Sequence, residues 1–529
     1  MDLSHLAYPC SRGEVARINK KKRFLFNSLL MSVTSVLVSG IGVWFSLAVS
    51  SAIGEEAMGV FQLILSVVSF GSTFACSGIQ LAAARLTAKK LGEKREGALG
   101  SVMRRCFVYG GSFGTAGCIL LFCFSQPIAV YCLHNPVTAL PMQVAAFSLP
   151  LVGLTAALNG YFTAVGRVGK CCFIQVTEQL CRVGLTLLSL NLWGKDLSSV
   201  CCCILGAGLV SQLLGFLLLF LLYCADRRRY TSGHGEKGDT AALLRIGLPI
   251  AGSTYLRSGL LTVKNLLAPA GLVAYGLSRS EAVSIFGGIH GVVLPLVLFF
   301  GVLLTAASDL LMPELAKAMA AAQNPTRNKQ VLRLVERMFK LSLLFSFGVA
   351  AGLFSLAEPL SRLVDSEIDL HFYLMLFAPL VPVMYFDTAV DSMLKGLDQQ
   401  LYSMGYNILD AGISLILVLF LVPHTGVAGY LFVIFQSEVL NAALSLNRLL
   451  KVTGVRFRPW TLLVKPILAA IGGGALCFFC QSSLSTLLPD WLTLGISVGV
   501  LLLGYYLLCR LLGCITAKDQ KLFRQALQG

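Results

Sequence analysis

Four residues on one predicted membrane helix could bind a ligand or carry charge. They stand among apolar neighbours in the stretch 170–193, and they are Gln175, Glu178, Gln179 and Arg182. Residues three and four apart share a helix face, so Gln175, Glu178 and Arg182 form one polar stripe. A charge at the centre of a membrane helix costs about 2.5–3.5 kcal/mol on insertion scales. We therefore expect this face to meet protein or a water-lined interior.

The chemistry of the stripe depends on the state of Arg182. In a low-dielectric chamber, a guanidinium attracts an anionic head group far more strongly than it does in water. The alternative is that Glu178 and Arg182 neutralise each other as a pair four residues apart. Both interpretations are open from the sequence.

Two basic residues lie inside a second apolar stretch, at 244–268. Arg257 and Lys264 are two helical turns apart, so they give this stretch a basic face. Arg257 has no acidic partner on its own helix, which favours a role in a cavity. For Lys264, the alternative is that its ammonium group extends to the outer interface.

Acidic residues also lie inside apolar stretches. Asp387, Asp391 and Lys395 repeat every four residues and therefore share one helix face. The alternative for Asp391 and Lys395 is a simple interfacial pair. Asp410 and Glu438 are two further embedded acids. Such acids could carry a proton or Na⁺, so we consider coupling to an H⁺ or Na⁺ gradient and predict no cofactor.

Composition places all these residues in a membrane. The chain has 529 residues, of which 56% are hydrophobic and 13% charged, against about 25% charged in soluble domains. We therefore predict an all-α polytopic membrane protein. The net charge of +16 resides mainly in short loops on one side. This pattern is typical of cytoplasmic loops that face anionic membrane lipids, and it does not indicate a nucleic-acid partner.

Fourteen stretches are long enough to cross a bilayer as helices. They lie at 24–52, 58–84, 106–132, 140–166, 170–193, 198–224, 244–268, 282–307, 338–357, 370–394, 398–422, 426–447, 460–480 and 489–511. The alternation of basic loops places both termini in the cytoplasm. The predicted division is a basic N-terminus (1–23), spans one to six (24–226), a linker (227–243), spans seven to twelve (244–448), two last spans (460–511) and a tail (512–529).

The two blocks of six spans show a weak internal repeat. Glu56 to Phe61 opens span two, and Glu281 to Phe286 opens span eight in the same pattern. Polar residues also correspond further along, since Asn159 parallels Asp391 and Glu178 parallels Asp410. Each block has an even number of spans, so the halves would be parallel repeats about an axis along the membrane normal.

Signatures of enzymes are missing from the sequence. It contains no HExxH and no Walker A loop, and its two GxSxG matches, at 110–114 and 495–499, stand inside apolar stretches rather than at a strand-to-helix turn. None of the 17 cysteines has the spacing of a zinc site, and most stand in apolar stretches. We therefore expect a transporter rather than an enzyme.

Four stretches resemble a known family. They are GEEAMGVFQLILSVVSF at 54–70, SGIQLAAARL at 77–86, the GYF of 160–162 with the polar stripe that follows, and IGLPIAGSTYLRSGLLTVKNLLAP at 246–269. In them the chain resembles the polysaccharide-flippase branch of the multidrug/oligosaccharidyl-lipid/polysaccharide exporter superfamily, and most closely the stage V sporulation protein B family. It departs from the usual amide and proline after span four, where Arg167 and Lys170 stand in the turn.

The resemblance implies two six-helix lobes around a central cavity, with two peripheral helices, and rocking of the lobes. It also implies flipping of a lipid-linked oligosaccharide or peptidoglycan precursor across the bacterial cytoplasmic membrane. The product would serve cell-wall, spore-cortex or polysaccharide synthesis, with wall-synthesis enzymes as possible partners. The site residues follow from their burial in the membrane rather than from the resemblance. In this hypothesis Arg182 and Arg257 hold the diphosphate, and Lys264 belongs to the same substrate-binding set. The residues that meet sugar hydroxyls or a coupling cation are Gln175, Gln179, Glu178, Asp387 and Asp391.

Two alternatives remain open. A cation-coupled multidrug antiporter of the same superfamily predicts twelve spans and a cavity of acids and aromatic residues. A non-transporting membrane scaffold for wall synthesis predicts that the cytoplasmic loops, rather than the cavity, carry the function.

Overall fold

The fold consists of helices joined by short turns. The computed structural model describes residues 12–76, 78–93, 95–193, 196–228, 239–320, 329–363, 369–455, 457–484 and 489–515. Within these ranges the backbone contains no β-strand. This confirms the predicted all-α fold.

The described part of the first half contains eight α-helices. They are α1 (Arg12–Ile53), α2 (Glu55–Cys76), α3 (Ile79–Gly92), α4 (Leu99–Pro127), α5 (Ala139–Ala146), α6 (Leu149–Val165), α7 (Val168–Trp193) and α8 (Leu197–Arg227). Helix α4 continues as a π-helical turn over Ile128–Cys132. Helices α2 and α3 together form the second span, and α5 and α6 together form the fourth.

The second half and the C-terminal region contain twelve helices in the described ranges. They are α9 (Asp239–Tyr275), α10 (Arg279–Gly288), α11 (Leu294–Phe299), α12 (Gly301–Ala320), α13 (Lys329–Ser355), α14 (Ala357–Leu363), α15 (Leu370–Phe377), α16 (Val381–Gly396), α17 (Gln400–Phe420), α18 (Val422–Thr453), α19 (Lys465–Leu484) and α20 (Asp490–Leu511). A π-helical turn, Ile289–Val293, joins α10 to α11.

The chain is a multi-pass membrane protein. Thirteen helical segments of the described residues are long and apolar enough to cross a membrane. The fourteenth predicted span is α9, which is helical over 37 residues but is less apolar because it contains Arg257, Lys264 and several hydroxyl side chains. The predicted architecture of membrane helices is therefore confirmed, with α9 as its most polar member.

The two halves repeat local features. Helix α3 begins after Gly78, whose backbone is left-handed with φ 70°, so the second span is broken near its middle. The eighth span is broken in a similar place, before α12 begins at Gly301. The turns between spans four and five and between spans ten and eleven also match, since Gly166 and Asp398 both have positive φ.

The lobes meet most tightly at one end of the bundle. We call the helix ends inner and outer as the charge-based prediction assigns them. At the outer end, a Cβ on Gly59 of α2 would overlap the carbonyl oxygen of Val283 in α10, and one on Gly287 would overlap that of Glu55. Ser280 also donates to Glu56 across the lobes at 2.6 Å. Only glycine permits this approach, so the outer end is closed.

The last two membrane helices lie at the periphery. Helices α19 and α20 pack against each other and against α13, where the Tyr505 hydroxyl donates to the carbonyl oxygen of Leu344 at 2.7 Å. The boundaries predicted for the lobes, linker and tail stay predictions. Residues 1–11, 229–238 and 516–529 of those segments lie outside the described residues.

Candidate functional site

Two members of the polar stripe of α7, Glu178 and Arg182, face the interior of the first lobe. Arg182 Nη2 lies 3.3 Å from Glu178 Oε1, and Glu178 packs against Gly215 of α8. Arg182 Nε is buried and has no hydrogen-bond partner among the described atoms. A guanidinium has five N–H donors, so the pair with Glu178 leaves donors of Arg182 available to a ligand.

Arg182 lines a cavity of about 400 Å³ within the first lobe. Helices α1, α2, α5, α6, α7 and α8 enclose it, and its other polar lining residues include Gln62 and Gln212. Gln179 lies near Gly42 of α1. Gln175 is exposed on α7 and is not among the residues that line this cavity.

The basic face of α9 turns toward the second lobe. Ser253 and Gly271 share this face with Arg257 and Lys264, because the intervals between them are four and seven residues. Ser253 contacts the sulfur of Met404 on α17 at 3.9 Å, and Gly271 lies against α17 and α18. Arg257 is exposed and Lys264 is half-buried.

Two acids from neighbouring helices face these bases. The charges of Asp410 on α17 and Glu438 on α18 act on Lys264 and on Arg257. Asp410 accepts a hydrogen bond from Ser437 at 2.7 Å. The second lobe therefore contains an internal set of opposite charges on α9, α17 and α18.

The acids of α16 have their own partners. Asn441 donates to Asp387 Oδ2 at 2.9 Å, while Asp387 Oδ1 has no hydrogen-bond partner among the described atoms. Asp391 accepts from Ser403 at 2.5 Å and lies 3.9 Å from Lys395. Asp387 thus retains an acceptor oxygen, whereas Asp391 is paired near the inner end.

Arg182 and Arg257 are not brought together in one cavity. The lining of the Arg182 cavity comes entirely from the first half of the chain within the described ranges. Arg257 lies with Lys264 and the acids of α17 and α18. The predicted site residues therefore form two separate sets, one in each lobe.

A pocket between the lobes contains residues that the sequence did not single out. It has a volume of about 300 Å³, and its lining consists of Gln62, Leu65, Ser66, Ser69, Ser258, Leu261, Thr262, Asn265, Phe286 and His290. Gln62 and Leu65 also line the Arg182 cavity, so the two spaces adjoin. The spacing of Ser258, Thr262 and Asn265 places them on one face of α9, and this polar face could have been identified from the sequence.

Hydrogen bonds join the lobes beside this pocket. Thr262 donates to the carbonyl oxygen of Ser66 at 3.1 Å, and Asn265 Nδ2 donates to Ser66 Oγ at 3.1 Å. Further toward the inner end, Ser258 donates to Thr73 at 3.3 Å. These bonds between α9 and α2 form a polar seam that joins the lobes.

His290 occupies a fixed position at the edge of the pocket. It lies on the π-helical turn between α10 and α11, a geometry that often marks functional sites. Its Nε2 lies 2.7 Å from the Tyr430 hydroxyl, and its ring centroid lies 4.4 Å from that of Phe286. Packing on both sides thus orients the imidazole.

The inner turn of the first lobe is held by a buried carboxylate. Asp226, at the end of α8, pairs with Arg167 and lies 4.0 Å from Lys170. It also accepts a hydrogen bond from the Tyr161 hydroxyl at 3.0 Å. The basic residues that depart from the family pattern in this turn are therefore partners of Asp226.

Comparison with known proteins agrees with this fold. A family model described as "Polysaccharide biosynthesis protein" matches residues 24–306, more than half of the chain. The chain is 20% identical to the stage V sporulation protein B of Bacillus subtilis over 92% of its own length and 93% of that protein. It is 20% identical to a second B. subtilis sporulation protein, YkvU, over 68% of its length and 79% of that protein.

Solved structures show the same architecture. An inward-facing multidrug resistance transporter of the MATE family, within the same exporter superfamily, superposes with a TM-score of 0.61. The match covers 80% of this chain and 95% of that transporter at 13% identity. At this identity the likeness establishes the fold.

Proposed function

Because the chain belongs to the polysaccharide biosynthesis protein family, in the flippase branch of the multidrug/oligosaccharidyl-lipid/polysaccharide exporter superfamily, we propose that its cargo is a polyprenyl-diphosphate sugar. The cargo is an oligosaccharide or peptidoglycan precursor that crosses the bacterial cytoplasmic membrane from the inner to the outer leaflet. The protein itself catalyses no covalent step, and both termini lie in the cytoplasm.

One observation carries this proposal. Arg182 lines a membrane-embedded cavity of about 400 Å³ while a buried N–H of its guanidinium has no partner among the described atoms. Diphosphate oxygens match the planar fork of a guanidinium. Attraction of this kind is stronger inside a lobe than in water. The cavity therefore suits an anionic head group whose lipid chain extends into the bilayer.

The closed outer end supports a cycle of alternating access. With α2 and α10 in backbone contact there, a head group enters from the inner leaflet. Rocking of the lobes would then break the contacts of α2 with α9 and α10 and open the outer side. The acids of the second lobe, Asp387 and Asp410, would carry the coupling H⁺ or Na⁺, since each has a buried oxygen without a hydrogen-bond partner among the described atoms.

The experiment is a binding measurement on purified full-length protein with a polyprenyl-diphosphate sugar. Arg182→Ala should weaken binding about 10- to 100-fold, since it removes charge-assisted hydrogen bonds of about 1.5–3 kcal/mol. Arg362→Ala is the matched control because Arg362 forms an exposed pair with Glu358 at 2.6 Å. Equal affinities of the Arg182→Ala variant and the control would contradict the proposal.

The buried acids also favour one second candidate, cation-coupled export of a hydrophobic amine. This function requires saturable efflux of the amine that depends on an H⁺ or Na⁺ gradient. The efflux must be lost in Asp387→Asn, because that substitution removes the charge but keeps the side-chain shape. Binding of amines in place of the lipid diphosphate would establish this candidate.

A further inference from the structure

We propose that the pocket between the lobes, lined by α2, α9 and the π-helical turn after α10, is a subsite for an uncharged sugar ring. This inference rests on the proposed function and specifies which part of the substrate lies where. The diphosphate lies in the Arg182 cavity, and the sugar attached to it lies in the adjoining pocket.

The chemistry of the lining selects a neutral, hydroxyl-rich ligand. Among the described residues that line the pocket, none is Asp, Glu, Lys or Arg. Two carboxamides, Gln62 and Asn265, can each donate to and accept from a sugar hydroxyl. Ser69 and Ser258 add hydroxyl groups, and a volume of about 300 Å³ matches the lower end of small-molecule sites. A phosphate group would instead require a cation.

One wall of the pocket is apolar and aromatic. Phe286 is almost completely buried, and its ring lies against His290. Tyr430, which is also almost completely buried, holds His290 through the 2.7 Å hydrogen bond. A sugar ring has an apolar C–H face and a polar rim. The half-buried His290 ring, with Leu65, Leu261 and the surrounding amides, presents the complementary arrangement.

The position of the pocket agrees with the covalent structure of a sugar diphosphate. Gln62 and Leu65 belong to both the pocket and the Arg182 cavity. A ligand that spans the two spaces therefore needs a charged group directly bonded to an uncharged ring. A polyprenyl-diphosphate sugar meets this requirement, whereas a hydrophobic amine does not.

The pocket also borders the seam between the lobes. Asn265 of the second lobe donates to Ser66 of the first lobe at 3.1 Å, at the edge of the pocket. The second N–H of this amide, and its carbonyl oxygen, can bond to a sugar hydroxyl. A sugar in the pocket therefore contacts a residue that joins the lobes.

The test compares two lipids on the full-length protein in lipid nanodiscs. One is a polyprenyl diphosphate bearing an N-acetylhexosamine, and the other is the same polyprenyl diphosphate without a sugar. Wild-type protein should bind the sugar-bearing lipid about tenfold more tightly, a difference of about 1.4 kcal/mol. Asn265→Leu should remove this preference and leave the affinity for the bare lipid within about twofold, because Asn265 lines the pocket but not the Arg182 cavity.

Asn265→Leu removes a pocket amide and a seam bond together. Ser69→Ala is the second variant, because Ser69 lines the pocket but not the Arg182 cavity, and its side chain takes no part in the seam hydrogen bonds of Ser66, Thr73 and Phe74. Ser112→Ala is the control, since Ser112 is exposed on α4 and its hydroxyl donates to the Val108 carbonyl oxygen of the same helix. The thermal stability of each variant is measured alongside.

The outcomes separate the two proposals. Equal wild-type affinities for both lipids, or equal losses for both lipids in Asn265→Leu, would overturn the sugar subsite and leave the diphosphate proposal standing. Failure of wild-type protein to bind either lipid would overturn the proposed function and the subsite with it. Loss of the sugar preference alone supports the subsite.

Discussion

At the scale of single residues, the two lobes use charge differently. In the first lobe, Arg182 has one acidic neighbour, Glu178, and a cavity in front of it. In the second lobe, Lys264 and Arg257 lie within reach of the charges of Asp410 and Glu438. The arrangement in the first lobe suits an anionic ligand. In the second lobe, the two bases and the two acids balance each other's charge. Arg182 is therefore a better candidate than Arg257 for binding a diphosphate.

Asp387 is the residue at which coupling to an ion gradient can be tested. It is 8% exposed, and Asn441 occupies only one of its carboxylate oxygens. Asp387→Asn should preserve the fold and abolish the dependence of transport on an H⁺ or Na⁺ gradient, because the neutral amide cannot carry the cation. The measurement is the transport rate in vesicles with and without an imposed gradient.

The control for this variant is Glu358→Gln, which neutralises an exposed acid paired with Arg362. A gradient dependence that persists unchanged in Asp387→Asn would remove this residue from the coupling mechanism.

Asp226 provides a prediction for stability. Its side chain is completely buried between the turn after α6 and the end of α8, and breaking a buried pair costs about 3–5 kcal/mol. Arg167 and Lys170 are partly exposed, so we expect a loss near the lower end, about 3 kcal/mol, for Asp226→Ala. Thermal or denaturant unfolding of the purified protein measures this loss.

Glu93→Ala serves as the comparison, since Glu93 forms only an exposed pair with Lys89 at 3.9 Å. Exposed pairs contribute about 0–1 kcal/mol. Similar stabilities of the two variants would show that Asp226 does not hold the inner turn.

At the scale of helices, broken and irregular segments position the candidate site. The second and eighth spans both break near their middles, and a π-helical turn in the eighth span carries His290. Helix α9 divides its faces between the two lobes. Thr262 and Asn265 bond to α2, while Arg257 and Lys264 face α17 and α18. This division explains why α9 is the most polar of the predicted spans.

The contact between α2 and α10 yields a prediction for lobe movement. Gly59→Val places a side chain where the carbonyl oxygen of Val283 lies, and overpacking of this kind costs about 1–3 kcal/mol. The population of the state with a closed outer end should therefore fall about tenfold or more, and transport should slow accordingly. The measurement is the initial transport rate in vesicles.

Gly184→Val on α7 is the matched control, since a Cβ there meets nothing within 4 Å. A Gly59→Val variant that transports at the control rate would show that the closed outer contact is not required.

At the scale of the whole molecule, apolar stretches were sufficient to predict the membrane helices. The span predicted at 170–193 is α7, Val168–Trp193, because length and apolar composition alone decide such a helix. Helix α9 begins at Asp239, before the predicted 244, since its polar first turn carries no apolar signal. The π-helical turn at Ile289–Val293 could not be predicted, because a single irregular turn leaves no period in the sequence.

The candidate site was predictable only in part. Arg182 and Glu178 were found because a charge inside a membrane helix is costly wherever it lies. The pocket between the lobes was missed because serine, threonine and asparagine are tolerated in many membrane helices. These polar residues form a pocket only because α2 and α9 meet across the lobes. The separation of Arg182 from Arg257 likewise depends on the direction of each helix face.

We propose that the whole molecule moves a lipid-linked sugar across a bilayer. The most direct measurement is the rate at which a labelled polyprenyl-diphosphate sugar, added to one leaflet of vesicles containing the oriented full-length protein, becomes accessible in the other leaflet. We predict a rate well above that of protein-free vesicles, and a large loss of that rate in Arg182→Ala but not in Arg362→Ala. A wild-type rate equal to that of protein-free vesicles would contradict the account.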